Sequence, residues 1–230
     1  MTKDINPKSQ IKCFRCLALG ILCLLGIWGL GFGVLSSASY ADPFIDSVLK
    51  DGMGVRSLGM GGAFVSVADD SDAVYYNPSG LSTASTQYIK SYMDFNTDQY
   101  ALNDSYSLST RQAGIAYWNR ADKTGQRAGV TAISFGTMGD NGISWGITHK
   151  NVAWDLSSSV GRGWSADAGL KAPFSNEITA GILLQDLVKN DVPASTTIRL
   201  GLCAIPVSAK NTKIAIEGEF RDLKSTSGAT

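Results

Sequence analysis

Charged residues and histidine are scarce in this chain. Lys, Arg, Asp and Glu make up 17% of its 230 residues, and there is one histidine; charged residues reach about 25% in average soluble domains. The 20 basic and 20 acidic residues cancel, so no net positive charge attracts phosphates, and nucleic acid is excluded as a partner. Three of the four cysteines lie within the first 23 residues, which leaves Cys203 without a second thiol for a disulfide in the rest of the chain.

The N-terminus has the pattern of a secretory signal peptide. Four basic residues precede an apolar run at residues 16–35, and small residues follow up to Ala41. This order predicts export, with residues 1–41 removed and the mature chain beginning at Asp42. An uncleaved anchor is the alternative, because an apolar run of about 20 residues can span a bilayer. No later apolar run reaches that length, so no membrane-spanning helix is predicted in the mature chain.

From residue 85 onward, strand-like runs alternate with clusters of Gly, Pro, Asn, Asp and Ser. Such clusters mark turns, and the runs between them are rich in β-branched and aromatic residues. Eight strands are predicted, at residues 87–95, 105–120, 127–138, 142–154, 163–171, 177–187, 196–205 and 213–221. Most of these runs have the length of a tilted transmembrane strand, which needs about 9–11 residues.

Apolar and polar residues alternate along several of these strands, so each strand has one apolar and one polar face. Leu200, for example, belongs to an apolar face and its neighbour Arg199 to a polar one. Two readings fit: a membrane barrel with its apolar face in lipid, or a soluble antiparallel sheet with solvated polar faces. In the barrel, the lumen-facing polar residues include Asp167, Lys171, Arg199, Glu217 and Glu219.

The most informative stretch is residues 54–81. Its glycines allow close packing or positive φ, residues 63–67 suggest a short buried strand, and the acidic run that follows suggests a turn or a cap for a helix at residues 73–76. Residues 77–80 are a strong turn signal, in which Gly80 can take positive φ. The key residues are Arg56, Gly59, Gly61, Gly62, Asp69, Asp70, Asn77, Pro78 and Gly80. The stretch lacks the third glycine of a dinucleotide fingerprint and the terminal Glu of a calcium loop.

This stretch resembles the N-terminal signature of the outer-membrane long-chain fatty-acid transporter (FadL-like) superfamily, especially its PorV/PorQ-like branch. Residues 56–62, 63–70 and 76–81 follow that signature almost in step, with Ser79 in place of the usual alanine, and shorter matches lie at residues 164–167, 183–187 and 198–202. The resemblance implies an all-β protein, an antiparallel outer-membrane β-barrel at residues 85–230 with an N-terminal hatch at residues 42–84.

The same resemblance implies a non-enzymatic role in the outer membrane, either transport of hydrophobic compounds or type IX protein secretion. The partners would be outer-membrane lipid and a hydrophobic small molecule or secreted protein cargo, with no cofactor and no metal. Two alternatives stay open: a soluble periplasmic β-domain with a binding or structural role, and, least favoured, an outer-membrane enzyme. The enzyme is disfavoured because His149 is the one imidazole and no Gly-x-Ser-x-Gly elbow occurs.

The predicted strand count departs from the family. An eight-stranded barrel is just filled by its own side chains, so it has no room for a hatch of residues 42–84. The chain also ends in a polar stretch, residues 222–230, and not in a strand. The sequence therefore predicts a C-terminally truncated family member with a partial barrel.

Overall fold

The computed structural model describes residues 41–84, 88–96, 101–109, 112–206 and 212–221, with backbone alone for 88–96 and 101–108. These residues all belong to one compact unit, residues 39–230. The predicted signal peptide, apart from Ala41, and the polar C-terminal stretch lie outside the described residues.

The N-terminal segment, defined here as residues 42–84, contains four short helices joined by turns. They are α1 (Pro43–Lys50), α2 (Val55–Gly59), α3 (Ala73–Tyr76) and a 3₁₀ helix (Pro78–Thr83). Asp42 caps α1: its carboxylate accepts hydrogen bonds from the backbone N–H groups of Phe44 and Ile45, at 2.9 and 3.2 Å. None of the helices in the described part of the chain has the length and apolarity needed to cross a membrane.

The helix predicted at residues 73–76 is confirmed as α3. The short strand predicted at residues 63–67 is wrong, because these residues form turns. The backbone of Val67 and Ala68 donates to the carbonyl of Phe64, at 3.0 and 2.8 Å. Phe64, Val65 and Val67 are buried as expected, but the backbone of the run is bonded within turns and to side chains, and not in a ladder.

Nine antiparallel strands form one sheet, and each pairs with its neighbours in chain order. The strands are β1 (Tyr88–Asn96), β2 (Ala101–Ser109), β3 (Ala113–Ala121), β4 (Arg127–Met138), β5 (Ser144–Asp155), β6 (Val160–Pro173), β7 (Ile178–Asn190), β8 (Thr197–Ala204) and β9 (Ile214–Arg221). The all-β antiparallel prediction is confirmed. Within the described residues the sheet is open, with β1 and β9 at its two edges.

The prediction of eight strands is wrong by one, because residues 105–120 contain a hairpin. The chain reverses between β2 and β3, so that Ser109 pairs with Gly114. Gln112, just before β3, has φ of 75°, a left-handed conformation that few non-glycine residues adopt. This turn has no glycine, proline, asparagine or aspartate, which is why turn chemistry did not reveal it.

The predicted alternation is confirmed, and it divides the sheet into two unlike faces. All twelve residues of β5 alternate between buried and exposed. The buried positions of β3–β8 form the covered face, on which the N-terminal segment lies; the other positions form the outer face. The core sits between the segment and the covered face, and includes Ile45, Leu49, Phe64, Tyr76, Leu81, Trp118, Val130, Ala132 and Val152.

Candidate functional site: the contact between the N-terminal segment and the sheet

Three glycines on the covered face form the surface on which the 3₁₀ helix begins. Gly146 pairs with Gly136 on one side and with Gly169 on the other, so the three lie in one row across β4, β5 and β6. A Cβ on Gly146 would lie 2.5 Å from the carbonyl carbon of Pro78, and one on Gly136 or Gly169 would clash with Pro78 or Asn77. The segment therefore approaches the sheet at a distance that excludes any side chain.

Asn77 ties the segment to itself and to the sheet. Its Oδ1 accepts hydrogen bonds from the backbone N–H and the hydroxyl of Ser79, at 3.1 and 2.6 Å. Its Nδ2 donates to the carbonyl of Val65 at 2.8 Å and to that of Leu170, in β6, at 3.2 Å. Its backbone is extended, with φ of −169°, as expected before Pro78. All polar atoms of this buried side chain are thereby engaged.

A second close approach involves the next strands. A Cβ on Gly181 (β7) would lie 2.6 Å from the carbonyl oxygen of Val65, and one on Gly201 (β8) would lie 3.2 Å from the backbone nitrogen of Ser66. Gly80 is also required for space: its added Cβ would clash with the carbonyl of Ala68. The prediction of positive φ at Gly80 is wrong, because Gly80 is not among the residues with positive φ.

The glycines of the first motif act through conformation and not through contact. Gly61 and Gly62 have φ of 66° and 81°, as predicted, whereas Gly59 has no positive φ. A Cβ on any of the three would meet no described atom within 4 Å. Of the two roles that the sequence allows these glycines, positive φ applies to Gly61 and Gly62, and close packing applies to none of the three in the described part of the chain.

The motif residues Arg56, Asp69 and Asp70 form one ion-pair group. Nη1 of Arg56 lies 2.5 Å from Asp69 Oδ1 and 3.0 Å from Asp70 Oδ2. Asp69 also pairs with Lys213, just before β9, at 2.7 Å. Burial would raise the pKa of Asp69, but the hydrogen bonds from Arg56 and Lys213 outweigh it and lower this pKa. The group links α2 to the edge of the sheet.

Three of the predicted polar residues hold the segment directly, and Glu217 and Arg199 are the first two. Glu217 Oε2 accepts hydrogen bonds from the backbone N–H groups of Phe64 and Val65, at 3.0 and 2.9 Å. Arg199 donates from Nη2 to the carbonyl of Lys50, the last residue of α1, at 2.6 Å. These bonds join β9 to the turn at residues 64–65 and β8 to the C-terminal end of α1.

Glu219 is a partner of other sheet residues. It lies 3.4 Å from Arg199 and 2.6 Å from Arg221. Lys171, in contrast, reaches the segment: its Nζ donates to the carbonyl of Ala68 at 2.8 Å and to the hydroxyl of Thr83 at 2.7 Å. Of the five predicted polar residues, Glu217, Arg199 and Lys171 therefore bond to the segment, and Glu219 forms ion pairs with neighbouring residues of the sheet.

The fifth, Asp167, belongs to a buried cluster that the sequence did not reveal. Its Oδ1 lies 2.8 Å from Lys150 Nζ and accepts a hydrogen bond from the backbone of Asp186 at 2.8 Å. Lys150 also binds Asp186 Oδ1 at 2.5 Å, and Ser165 donates to the same oxygen at 2.8 Å. A register shift in the β6–β7 ladder and φ of 53° at Asp186 turn this side chain inward.

Helix α1 is docked by a polar network. Lys50 pairs with Asp46 at 2.8 Å and donates to the carbonyl of Ser195 at 2.6 Å. Asp46 accepts from the backbone and the hydroxyl of Ser195, at 2.8 and 2.7 Å. Burial would raise the pKa of Asp46, but the bonds from Lys50 and Ser195 outweigh it and lower this pKa. Gln185 completes the contact by donating to the carbonyl of Leu49 at 2.6 Å.

A cavity of about 430 Å³ lies between the segment and β8–β9. It is lined by residues of both parts, Lys50, Asp51, Gly52, Gly61, Gly62, Ala63, Tyr76, Arg199, Glu217, Glu219 and Arg221. Nε of Arg199 is buried and has no hydrogen-bond acceptor among the described residues. In the same part of the chain, no three His, Cys, Asp or Glu side chains are grouped to hold a metal ion. The cavity is polar and contains charges of both signs.

Comparisons with protein-family models, with curated proteins and with solved structures found no match for this chain.

Replacing Gly146 by valine tests whether the glycine row holds the 3₁₀ helix. We expect Gly146→Val to displace residues 77–80 and to lower the free energy of unfolding by about 1–3 kcal/mol, because the new side chain has no space under Pro78. Faster hydrogen exchange at the Ser79 and Gly80 amides would report the displacement. Gly129→Val is the control: Gly129 lies in the neighbouring strand β4, and its added Cβ would make an ordinary contact with Tyr117 at 3.5 Å. Equal exchange in the two variants would contradict the role of the row.

Proposed function

We propose that this chain is a non-enzymatic outer-membrane β-barrel protein in which the sheet forms barrel wall and the N-terminal segment is the hatch inside it. By the resemblance to the PorV/PorQ-like branch, its role is transport of hydrophobic compounds or type IX protein secretion. The proposal includes export by the signal peptide and contact of the outer face with outer-membrane lipid.

One observation carries the proposal: the face of the sheet that the N-terminal segment leaves uncovered is apolar. The covered face buries polar side chains and glycines beside its apolar core, whereas the outer face exposes large apolar side chains. Those exposed include Ile115, Ile133, Phe135, Trp145, Ile147, Leu170, Ile182, Leu200, Leu202, Ile214 and Ile216. Monomeric soluble proteins rarely expose so large a contiguous apolar patch. Hydrocarbon surroundings make this face favourable, because its apolar side chains then avoid water.

The apolar outer face also has the dimensions of a membrane band. Cross-strand pairing places its side chains in rows, from Ile133 beside His149 at one end to Ala204 beside Ile214 at the other. Five such rows, two residues apart along each strand, cover roughly 26 Å of strand length at 3.3 Å per residue. At the strand tilt of about 40° found in transmembrane barrels, this length corresponds to about 20 Å of height, close to their apolar band of about 25 Å.

The hatch assignment rests on how the segment is held. Apolar core residues of β3–β5 pack against it, whereas its contacts with β6–β9 combine backbone packing on glycines with hydrogen bonds that Lys171 and Arg199 donate and Glu217 accepts. Polar contacts of this kind can be exchanged for water when a segment moves, whereas an apolar core resists such exchange. A hatch that opens a polar path needs this type of contact. The cavity beside Arg199 lies where such a path would begin.

The experiment that tests the proposal is vesicle insertion with fluorescence quenching by brominated phosphatidylcholine. We expect the mature chain, residues 42–230, to float with vesicles after an alkaline wash and its tryptophan fluorescence to be quenched. Trp145 is 45% exposed on the outer face, so Trp145→Phe should remove much of the quenching. Trp118 is 5% exposed and bonds to Val48, so Trp118→Phe should leave it unchanged. A chain that stays in solution without detergent would favour the soluble periplasmic domain instead.

A further inference from the structure

The outer face changes from apolar to charged towards one end of β4, β5 and β6. The register places successive rows across these strands as Phe135/Ile147/Ala168, Ile133/His149/Ala166, Thr131/Asn151/Trp164, Gly129/Ala153/Arg162 and Arg127/Asp155/Val160. The first two rows are apolar apart from His149, the third combines an aromatic ring with polar groups, and the last two contain the charges. This is the order in which a membrane passes from hydrocarbon through its aromatic belt to its headgroups.

Arg127 and Arg162 are exposed cations without partners in the described part of the chain. No hydrogen bond or ion pair joins either guanidinium to a described residue. Both line a cavity of about 880 Å³ at this end of the sheet, together with Tyr117 and Asn119. Arg120 lines the same cavity, but its guanidinium is already bound to Ser47 and Asp51, each at 3.0 Å.

We propose that Arg127 and Arg162 bind the phosphate of an anionic lipid headgroup at the membrane surface. The inference rests on the proposed function, because it requires the apolar outer face to lie in lipid. Arg162 is one row beyond Trp164 and Arg127 is two rows beyond it, and one row is about 7 Å of strand. At a strand tilt of about 40°, the two residues lie about 5 and 11 Å beyond Trp164 along the membrane normal. The headgroup layer on each side of the hydrocarbon is about 6 Å thick, so Arg162 lies within it and Arg127 reaches back to it with its long side chain. Guanidinium groups suit phosphate because they donate two parallel hydrogen bonds.

The carboxylate of Asp155 weakens the attraction of the two arginines for phosphate. Asp155 is the direct cross-strand partner of Arg127, and its neighbour Ala153 opposes Arg162. Arg127, Arg162 and Asp155 together give this part of the outer face a net charge of one positive unit. The carboxylate repels phosphate, so Asp155→Asn should increase binding of the anionic lipid, while loss of either arginine should decrease it.

The test compares two brominated lipids in phosphatidylcholine vesicles that contain the mature chain, residues 42–230. Brominated phosphatidic acid is the anionic probe and brominated phosphatidylcholine the reference, each as a minor fraction. Comparing the chain with its Trp164→Phe variant isolates the quenching of Trp164, and this quenching measures which lipid lies next to the two arginines. We expect phosphatidic acid to be enriched there by about fivefold for each arginine, the ratio that corresponds to about 1 kcal/mol per cation at a membrane surface. Arg127→Gln/Arg162→Gln should abolish the enrichment, and Asp155→Asn should raise it.

Lys123→Gln is the control for general loss of charge, because Lys123 is exposed in the turn between β3 and β4, at the same end of the sheet. It should leave the enrichment unchanged. Equal quenching by the two lipids at Trp164, in vesicles where Trp145 is quenched normally, would overturn this inference and leave the proposed function standing. Absence of quenching at both tryptophans would overturn both. Loss of the enrichment on addition of inorganic phosphate, with binding of phosphate in lipid-free detergent, would assign the site to free phosphate instead.

Discussion

We expect Lys150→Met to lower the free energy of unfolding by about 3–5 kcal/mol, as removal of one member of a buried ion pair typically does. Lys150 is 2% exposed, and its Nζ is shared by Asp167 and Asp186, at 2.8 and 2.5 Å. Removing the ammonium leaves two carboxylates side by side without a countercharge. Asp186 Oδ2 is buried and already lacks a hydrogen-bond donor among the described residues. Equilibrium unfolding in urea, with the protein folded in vesicles, measures the loss.

The control is Lys123→Met, the same chemical change at an exposed turn position, which should alter stability by less than about 0.5 kcal/mol. The triple variant Lys150→Met/Asp167→Asn/Asp186→Asn should recover most of the loss, because it removes the buried charges together. A loss below about 1 kcal/mol in the single variant would show that water or other groups compensate the two carboxylates.

We expect Leu200→Arg to impair folding into bilayers by about 2–4 kcal/mol, the range for arginine on the lipid face near the midplane. Leu200 is 43% exposed on the outer face of β8. It lies between the rows of Phe220 and Ile216 on β9, well inside the apolar band. Reversible folding into phospholipid vesicles, followed by the shift in the urea midpoint at constant slope, measures this effect.

Val160→Arg is the matched control for Leu200→Arg. Val160 is 78% exposed on the same face, but it lies in the last row, beside Asp155. An arginine near the interface should lower stability by only about 0–1 kcal/mol. Equal effects of the two substitutions in vesicles would contradict the lipid contact, since a water-exposed face treats both positions alike.

Arg199 illustrates where alternation alone is insufficient. The sequence places Arg199 on the polar, lumen-facing side, which predicts that Arg199→Leu costs much less than Leu200→Arg. The structure changes this expectation: Arg199 is buried, donates to the carbonyl of Lys50 and lies 3.4 Å from Glu219. Its loss removes a contact with α1 and the buried cation beside Glu217 and Glu219, so a marked loss of stability is expected.

The sequence by itself determined the local features of this protein. Alternation along β5, β6 and β8 identified both faces, because side-chain direction in a strand follows from the backbone alone. Turn clusters located most strand ends, and Asp42 and Asn77 have the side chains that cap helices. The one missed turn, before Ala113, contains no residue with a turn-specific preference, so only the pairing of β2 with β3 revealed it.

Only the tertiary structure decided how distant parts meet. The glycines of β4–β6 are unremarkable in sequence, because their role is to admit the backbone of Pro78, more than fifty residues away along the chain. The cluster of Lys150, Asp167 and Asp186 joins three strands and depends on an irregular ladder that no periodic pattern encodes. Likewise, the row order on the outer face follows from the register between strands, since pairing and not sequence position sets which side chains lie at one height.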